Sequence, residues 1–207
     1  IEQAKKMLPF LREKLENSED KLLFAAKLAI AGNIIDFGYH NIYDIEDKIL
    51  NIIEHDLAIN DFDIFKEKLQ SAKTILYIGD NCGESVFDKV FIENLPSDSK
   101  VYYAVRGFPI INDVTYHDAL DSELSGVAEI IDSGVKSPGA ILKYASETFK
   151  EIFSSADIVI SKGQGNFEAL SDEKREIFFF LMAKCSVIAK NLNVFKESLI
   201  LKYHSSK

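Results

Sequence analysis

From Lys73 onward, short apolar runs rich in β-branched and aromatic residues alternate with amphipathic segments, and this alternation limits the possible folds more than any other feature. The runs predict strands at 74–78, 101–105, 129–131, 158–160 and 186–189. Such alternation is typical of βαβ units, in which helices cover both faces of a mostly parallel sheet. The sequence therefore predicts an α/β fold with three α/β/α layers and a Rossmann-like sheet.

The first 72 residues show a different pattern, because their apolar residues recur at helical spacing. Met7, Phe10 and Leu11 share a face with Leu15, and comparable sets follow as far as Leu69. We predict an N-terminal helical subdomain over 1–72 and an α/β domain over 73–207 that carries the functional site. The two parts are expected to pack as one compact unit.

Composition excludes several classes of protein. The chain has 207 residues, and 24 basic against 33 acidic side chains give a net charge of −9. This balance disfavours nucleic acid or an anionic membrane as the main partner. Cys82 and Cys185 form no paired motif, and no apolar run reaches the ~18 residues that span a bilayer. We expect a cytoplasmic protein, from which residues before Ile1 have been removed because the chain does not begin with Met.

Polar residues follow the first predicted strand, in the segment Gly79-Asp80-Asn81-Cys82-Gly83-Glu84. Carboxylate and amide oxygens are suitable ligands for a hard divalent cation, and the glycines allow the backbone to turn closely around it. A turn or helix cap would explain Asp80 and Asn81 equally well, so their local sequence leaves both interpretations open.

A second polar cluster follows the next predicted strand. Arg106 stands at the end of that strand, where a planar cationic side chain is best explained by an anion such as phosphate. Asn112 and Asp113 come shortly after it, and Asp113 could add a second carboxylate to the ion at Asp80. Taken alone, this pair is more often a helix cap.

The third cluster is Ser161-Lys162-Gly163-Gln164-Gly165-Asn166. Its glycines would expose backbone N–H groups at a helix N-terminus beside the Lys162 charge, which suits phosphate. It is not a P-loop, and the segment from Gly79 to Glu84 lacks the dinucleotide-binding glycine pattern. In the helical part, Asn33 and Asp36 interrupt an apolar helix, either as caps or as residues that line the pocket.

Together these residues resemble one family of enzymes. The ordered set runs from Gly32-Asn33 and Asp36 through Asp80-Asn81, Arg106, Asn112-Asp113-Val114-Thr115 and Ser161–Asn166 to Lys184-Cys185. It is similar to the damage-control phosphatases, formerly a domain of unknown function numbered eighty-nine, in a stand-alone archaeal or bacterial form. One departure is that a pair of cysteines, carried by many relatives in an additional N-terminal segment, is absent here.

The resemblance implies a metal-dependent phosphatase that acts on small phosphate monoesters, including sugar phosphates and damaged metabolites. It implies one divalent ion (Mg, Mn, Co or Ni) on Asp80, Asn81 and Asp113, and catalytic roles for Asp80, Arg106 and Lys162. The expected substrate-binding residues are Asn33, Asp36, Glu84, Asn112, Gly163 and Gln164. The nucleophile, either Asp80 or a water molecule, stays open.

Two alternatives come from other classes of protein. The first is an S-adenosylmethionine-dependent carboxyl methyltransferase, although the turn after the first strand lacks the clustered glycines that such a cofactor usually needs. The second is a non-catalytic module that binds a phosphorylated ligand. The paired carboxylates argue against it, because an anion tolerates Asp80 and Asp113 nearby only when a metal is present.

Overall fold

The computed structural model of the protein describes residues 1–32 and 42–205, and the side chains of 42–45 are left aside. Helices and strands alternate over most of this length. The helices are α1 (Glu2–Glu16), α2 (Lys21–Ala31), α3 (Ile42–Glu54), α4 (Phe62–Leu69), α5 (Ser85–Glu93), α6 (Tyr116–Asp121), α7 (Glu147–Ser155), α8 (Gly163–Leu170) and α9 (Ser186–Asn191). The strands are β1 (Ile59–Asn60), β2 (Thr74–Ile78), β3 (Lys100–Val105), β4 (Glu129–Asp132), β5 (Ile158–Lys162), β6 (Ile177–Met182) and β7 (Leu199–His204).

The strands form a single seven-stranded sheet in the order β1-β7-β6-β5-β2-β3-β4. Every neighbouring pair is parallel except β6 and β7, which run antiparallel. The predicted mostly parallel sheet is confirmed.

Successive residues of each strand point to opposite faces of the sheet, so the central strands contribute to two separate apolar clusters. In β2, Ile75 and Tyr77 belong to the cluster that includes apolar residues of α1 to α5. Leu76 and Ile78 belong to the cluster on the other face, which includes residues of α7, α8 and α9. Burial on both faces explains why these strands are largely apolar, and it confirms the three predicted layers.

Helices dominate the first 72 residues, where α1 to α4 lie. Asp20 begins α2 by accepting a hydrogen bond from the backbone N–H of Leu23 at 3.0 Å. This part also contains β1, which pairs with β7 at one edge of the sheet. The N-terminal part therefore contributes to the sheet as well as covering it, and the domain boundary near residue 72 stays a prediction.

One predicted strand is wrong, and three strands, β1, β6 and β7, were not predicted. Residues 186–189 lie in α9, with Ile188 and Ala189 buried against the sheet. A run this short is ambiguous, since a serine followed by three apolar residues fits a helix turn as well as a strand. The last two strands are instead β6 and β7, and β6 is buried along its whole length.

The sheet order places β2 between β3 and β5. The chain moves outward from β2 to β3 and β4, and then returns to the other side of β2 to form β5. Such a reversal creates a crevice at the carboxyl ends of the two strands, where ligands of open α/β sheets bind. None of the helices within 1–32 and 42–205 is long and apolar enough to cross a membrane.

Candidate active site

The buried charges of the described residues all belong to one cluster at this edge of the sheet. Four carboxylates and two cationic side chains take part, and each exposes 9% or less of its surface. Burying a charge is costly unless it is paired, so six at one place indicate a functional requirement. The members are Asp80, Glu84, Asp88, Arg106, Asp113 and Lys162.

The turn after β2 brings Asp80 and Asn81 towards Asp113. Asn81 and Asp113 pair as an antiparallel backbone bridge, and the N–H of Val114 donates to the carbonyl of Asp80 at 2.7 Å. The Asn81 amide nitrogen donates to Asp80 at 3.2 Å and to Glu84 at 2.6 Å. Its amide oxygen is therefore the atom that could coordinate a cation. The three predicted metal ligands thus lie on two directly connected backbone segments.

Gly163 approaches Asp80 from the neighbouring strand. Its φ is 78°, and a Cβ atom built on it would lie 2.0 Å from the Asp80 Oδ2 atom. Only glycine combines this backbone conformation with such a close approach. The end of β5 therefore forms one wall of the site around the Asp80 carboxylate.

Arg106 is held rigidly with one donor left over. Its Nε donates to Asp113 Oδ2 at 2.6 Å, and its Nη2 donates to Asn166 Oδ1 at 2.9 Å. The third nitrogen, Nη1, is buried and has no hydrogen-bond partner among the described residues. Asn166 is itself fixed, because its amide nitrogen donates to the carbonyls of Gly79 and Lys162. The guanidinium is thus positioned with an unused donor.

Lys162 contacts carboxylates in this structure. Its Nζ donates to Glu84 Oε2 at 2.8 Å and to Asp88 Oδ1 at 2.6 Å. Burial alone would lower the pKa of Lys162, but the negative charges of Asp88 and Glu84 outweigh it and raise the pKa above its ordinary value. Lys162 therefore stays charged, and its predicted contact with phosphate stays a prediction.

Asp88 is the site residue that the sequence did not reveal. It lies on α5 and is fully buried, and besides Lys162 it accepts hydrogen bonds from the hydroxyls of Tyr77 at 2.6 Å and Tyr103 at 2.8 Å. The sequence signal for this residue was an acidic residue among the apolar residues of α5. A carboxylate on the buried face of a helix needs hydrogen-bond donors from neighbouring elements. Two strand tyrosines on the same face of the sheet supply them.

The electrostatics of the cluster favour a cation. Burial raises the pKa of Asp80 to about 8, and the charges of Glu84 and Asp113 add to this effect. When all four carboxylates are ionised they exceed the two basic groups by two negative charges, so ionisation of Asp80 is favoured once a cation such as one divalent ion neutralises this excess. Within residues 1–32 and 42–205, no three His, Cys, Asp or Glu side chains form a ready cluster of metal ligands. The candidate set is two carboxylates and an amide, all oxygen donors that suit a hard cation.

Burial also raises the pKa of two other carboxyl groups of the cluster. For Glu84, the charge of Lys162 and the hydrogen bond from Asn81 lower the pKa, while the charge of Asp88 raises it further. For Asp113, the charge and hydrogen bond of Arg106 lower the pKa. Each carboxyl therefore has a basic or amide partner that favours its ionised form.

The remaining predicted site residues occupy different positions. Asn112 contributes its backbone carbonyl, which accepts from the N–H of Cys82 at 2.8 Å. The Gln164 amide nitrogen donates to Glu168 and to the Cys185 sulfur. Its amide oxygen is buried without a partner in the described part of the chain. Asn33 and Asp36 lie outside the described residues.

Comparison with known proteins identifies the class to which this fold and site belong. A family model described as the damage-control phosphatase ARMT1-like domain matches residues 1–200. Damage-control phosphatase PH1575 of Pyrococcus horikoshii is 39% identical over 203 residues, which cover 96% of this chain and 70% of that protein. A damage-control phosphatase of Archaeoglobus fulgidus is 32% identical over 97% of this chain and 72% of its own length.

A solved structure is also similar. The crystal structure of a DUF89 family protein from Pyrococcus horikoshii matches with a TM-score of 0.90 and 37% identity, covering 99% of this chain and 72% of that one. The chain therefore belongs to the damage-control phosphatase ARMT1-like family, which confirms the resemblance seen in its motifs. Membership supports a phosphatase role for this chain.

The approach of Gly163 to Asp80 gives a first prediction. Gly163→Ala should displace the Asp80 carboxylate, because the new methyl group cannot share its space. We expect activity to fall at least about a hundredfold, as one misplaced catalytic group commonly costs. Phosphate release measures the effect, and Gly126→Ala is the matched control, since nothing lies within 4 Å of its Cβ position. Equal activity of the two variants would contradict the assigned role of Gly163.

A second prediction concerns Asp88. Asp88→Asn should lower the free energy of unfolding by about 3 kcal/mol, because it removes one partner of a buried ion pair. Urea denaturation measures the change. Asp121→Asn, at the exposed end of α6, should stay within about 0.5 kcal/mol of the unmodified protein. A similar small loss for both variants would show that Asp88 does not anchor the cluster.

Proposed function

We propose that this chain is a metal-dependent phosphatase that hydrolyses small phosphate monoesters, such as sugar phosphates or damaged phosphorylated metabolites. The observation that carries the proposal is the unused Nη1 donor of buried Arg106, next to Asp113. A buried donor without a partner is costly, and a phosphate oxygen would satisfy it. The phosphatase names of the relatives agree with this assignment.

In this proposal Asp80, Asn81 and Asp113 hold one divalent ion, which could be Mg, Mn, Co or Ni. The excess negative charge of the cluster and the raised pKa of Asp80 support this ligand set. When bound, such an ion neutralises charge on the phosphate and polarises its P–O bonds. The protein supplies the oxygen ligands and keeps them in place through the Asn81 and Arg106 hydrogen bonds.

The N-terminus of α8 supplies further donors for the phosphate. Lys162 precedes the helix, and no side chain among the described residues caps it. The first N–H groups of a helix, here at Gly163 to Gly165, have no acceptor within the helix itself, and Gly163 lies against Asp80. Arg106 and these amides would bind the phosphate oxygens while its charge shifts in the transition state. Catalysis would then rest on positioning and electrostatics.

The proposed substrate contacts surround this centre. Glu84 orients Asn81 and Lys162 through hydrogen bonds of 2.6 and 2.8 Å, so it would act mainly by holding the site in shape. Gln164 follows Gly163 and has a buried amide oxygen without a partner in the described part of the chain, which a substrate hydroxyl could use. Asn33, Asp36 and Asn112 stay predicted substrate-binding residues.

The central test of the proposal is metal-dependent phosphate release. We expect hydrolysis within a panel of sugar phosphates when Mg²⁺, Mn²⁺, Co²⁺ or Ni²⁺ is present, and none after chelation. Asp80→Asn should lower the rate at least about a hundredfold, because an anionic metal ligand is replaced by a neutral one. Asp172→Asn, an exposed carboxylate after α8, serves as the control and should keep full activity.

Other outcomes of the same panel would point elsewhere. Hydrolysis that persists in chelator, or an unchanged rate for Asp80→Asn, would refute the metal assignment. Binding of sugar phosphates without turnover on any metal would favour a non-catalytic module. Calorimetric binding of S-adenosylmethionine without metal would favour a methyltransferase.

Arg106 allows a sharper prediction. Arg106→Lys should lower kcat/KM by about 10² to 10³, because one ammonium cannot keep the Asp113 and Asn166 bonds and also bind phosphate. Steady-state kinetics on the best substrate of the panel measures this loss. Arg175→Lys changes an arginine that contacts the backbone carbonyls of Ser154 and Ala156, and it should have little effect on kcat/KM. A comparable loss in both variants would contradict phosphate binding by Arg106.

A further inference from the structure

The segment 134–140, which follows β4, is fastened to the candidate active site at both ends. At its start, the N–H of Gly107 donates to the carbonyl of Val135 at 3.1 Å, directly after Arg106. A Cβ atom on Gly107 would lie 3.0 Å from the Gly134 Cα atom, so the two backbones touch. At its end, the N–H of Ala140 donates to Asn166 Oδ1 at 2.8 Å, the oxygen that also binds Arg106.

This segment is rigid in construction. Val135 and Ala140 are fully buried in the apolar cluster that contains α7 and α8. Gly134 and Gly139 have φ values of 72° and 84°, which shape its two ends, and Gly139 packs on the Gly165 carbonyl. The residues between these anchors are therefore presented at a fixed position beside Arg106 and α8.

A cavity of about 440 Å³ opens at this position, lined by Gly134, Lys136, Ser137 and Tyr144. The volume lies within the range of small-molecule sites. Its lining combines a cation, a hydroxyl and an aromatic ring, which suits a small polar molecule with an anionic group. The cations of the phosphate centre differ from Lys136 in that they are paired with carboxylates.

The charge at this cavity is not neutralised within the described part of the protein. Lys136 is exposed and makes no ion pair there. A second cation, Lys143, lies 5.7 Å from the ring centroid of Tyr144. Asp132 is the nearby carboxylate, and one of its oxygens accepts from the N–H of Gly134 at 2.7 Å. Lys136 therefore provides a cation in the lining of the cavity, on a chain whose net charge is −9, and Lys143 lies close to its aromatic residue Tyr144.

We propose that this cavity receives the non-phosphate part of the substrate, and that Lys136 selects phosphate monoesters carrying a second anionic group. The proposal rests on the proposed phosphatase function, because it places the phosphate at Arg106. The contact of Gly107 with Gly134 joins the lining of the cavity to the backbone directly after Arg106. A carboxylate or second phosphate a few bonds from the ester would then bind Lys136, while the substrate carbons lie against Tyr144.

The test uses two esters of nearly equal size, glycerol 3-phosphate and 3-phosphoglycerate, which differ by one carboxylate. The unmodified protein should favour 3-phosphoglycerate by about tenfold, the usual scale of one charge-assisted hydrogen bond. Lys136→Gln should remove this preference and change the values for glycerol 3-phosphate less than about twofold. Lys6→Gln, an exposed lysine on α1, is the matched control and should keep the preference. The preference should also weaken as salt is added.

The readout separates this proposal from the phosphatase assignment. If the protein hydrolyses the esters, the kcat/KM values of the two esters are compared. If it does not, the Kd of each ester is measured by calorimetry with Mn²⁺ present. A carboxylate preference that Lys136→Gln removes supports the subsite even if neither ester is hydrolysed. No preference in the unmodified protein, no binding of either ester, or equal losses for both esters would overturn the subsite. Phosphate release from the sugar phosphate panel then decides the phosphatase assignment independently.

Discussion

The rest of the site depends on the hydrogen bonds that the buried carboxylate of Asp88 accepts. It accepts hydrogen bonds from Tyr77, Tyr103 and Lys162, and so joins two strands of the sheet to the helix that covers them. Lys162 extends this connection to Glu84, and Glu84 orients Asn81. Removing a carboxylate from water carries a large desolvation penalty, which is offset only when all of its hydrogen-bond donors are in place. These hydrogen bonds connect Asn81, a candidate metal ligand, to helix α5 beneath the site.

The position of the candidate site residues could be predicted from the sequence because it follows from sheet geometry. Residues that end adjacent parallel strands meet at one edge, so Asp80, Arg106 and Lys162 had to lie near each other once the strands were recognised. The approach of Gly163 to Asp80 and the Arg106–Asp113 pair agree with this expectation. The strand pattern could not predict the direction in which each side chain points. The Lys162 ammonium, for example, contacts Glu84 and Asp88, which lie just before α5 and on it.

Other features were not predictable because local sequence is ambiguous about them. The apolar turn 186–189 fits a helix or a strand, and only the presence of β6 and β7 decides between the two. The pairing of β1 with β7 joins segments about 140 residues apart, and a two-residue strand has no periodicity to detect. Asp88 was missed for a related reason: its partners come from strands, while its own helix shows only an acid among apolar neighbours.

The sequence distances within the cluster have a consequence for how the protein acquires its site during folding. Arg106 and Asp113 are seven residues apart, so their pair requires only a short loop to close. The contact of Lys162 with Glu84 spans 78 residues, and it forms only when β5 has inserted beside β2. Closing the longer loop costs more chain entropy, so this contact should be among the later steps. An intermediate that lacks β5 would contain the four carboxylates and Arg106 without Lys162. Its cleft would therefore be strongly anionic until β5 adds Lys162 to the sheet.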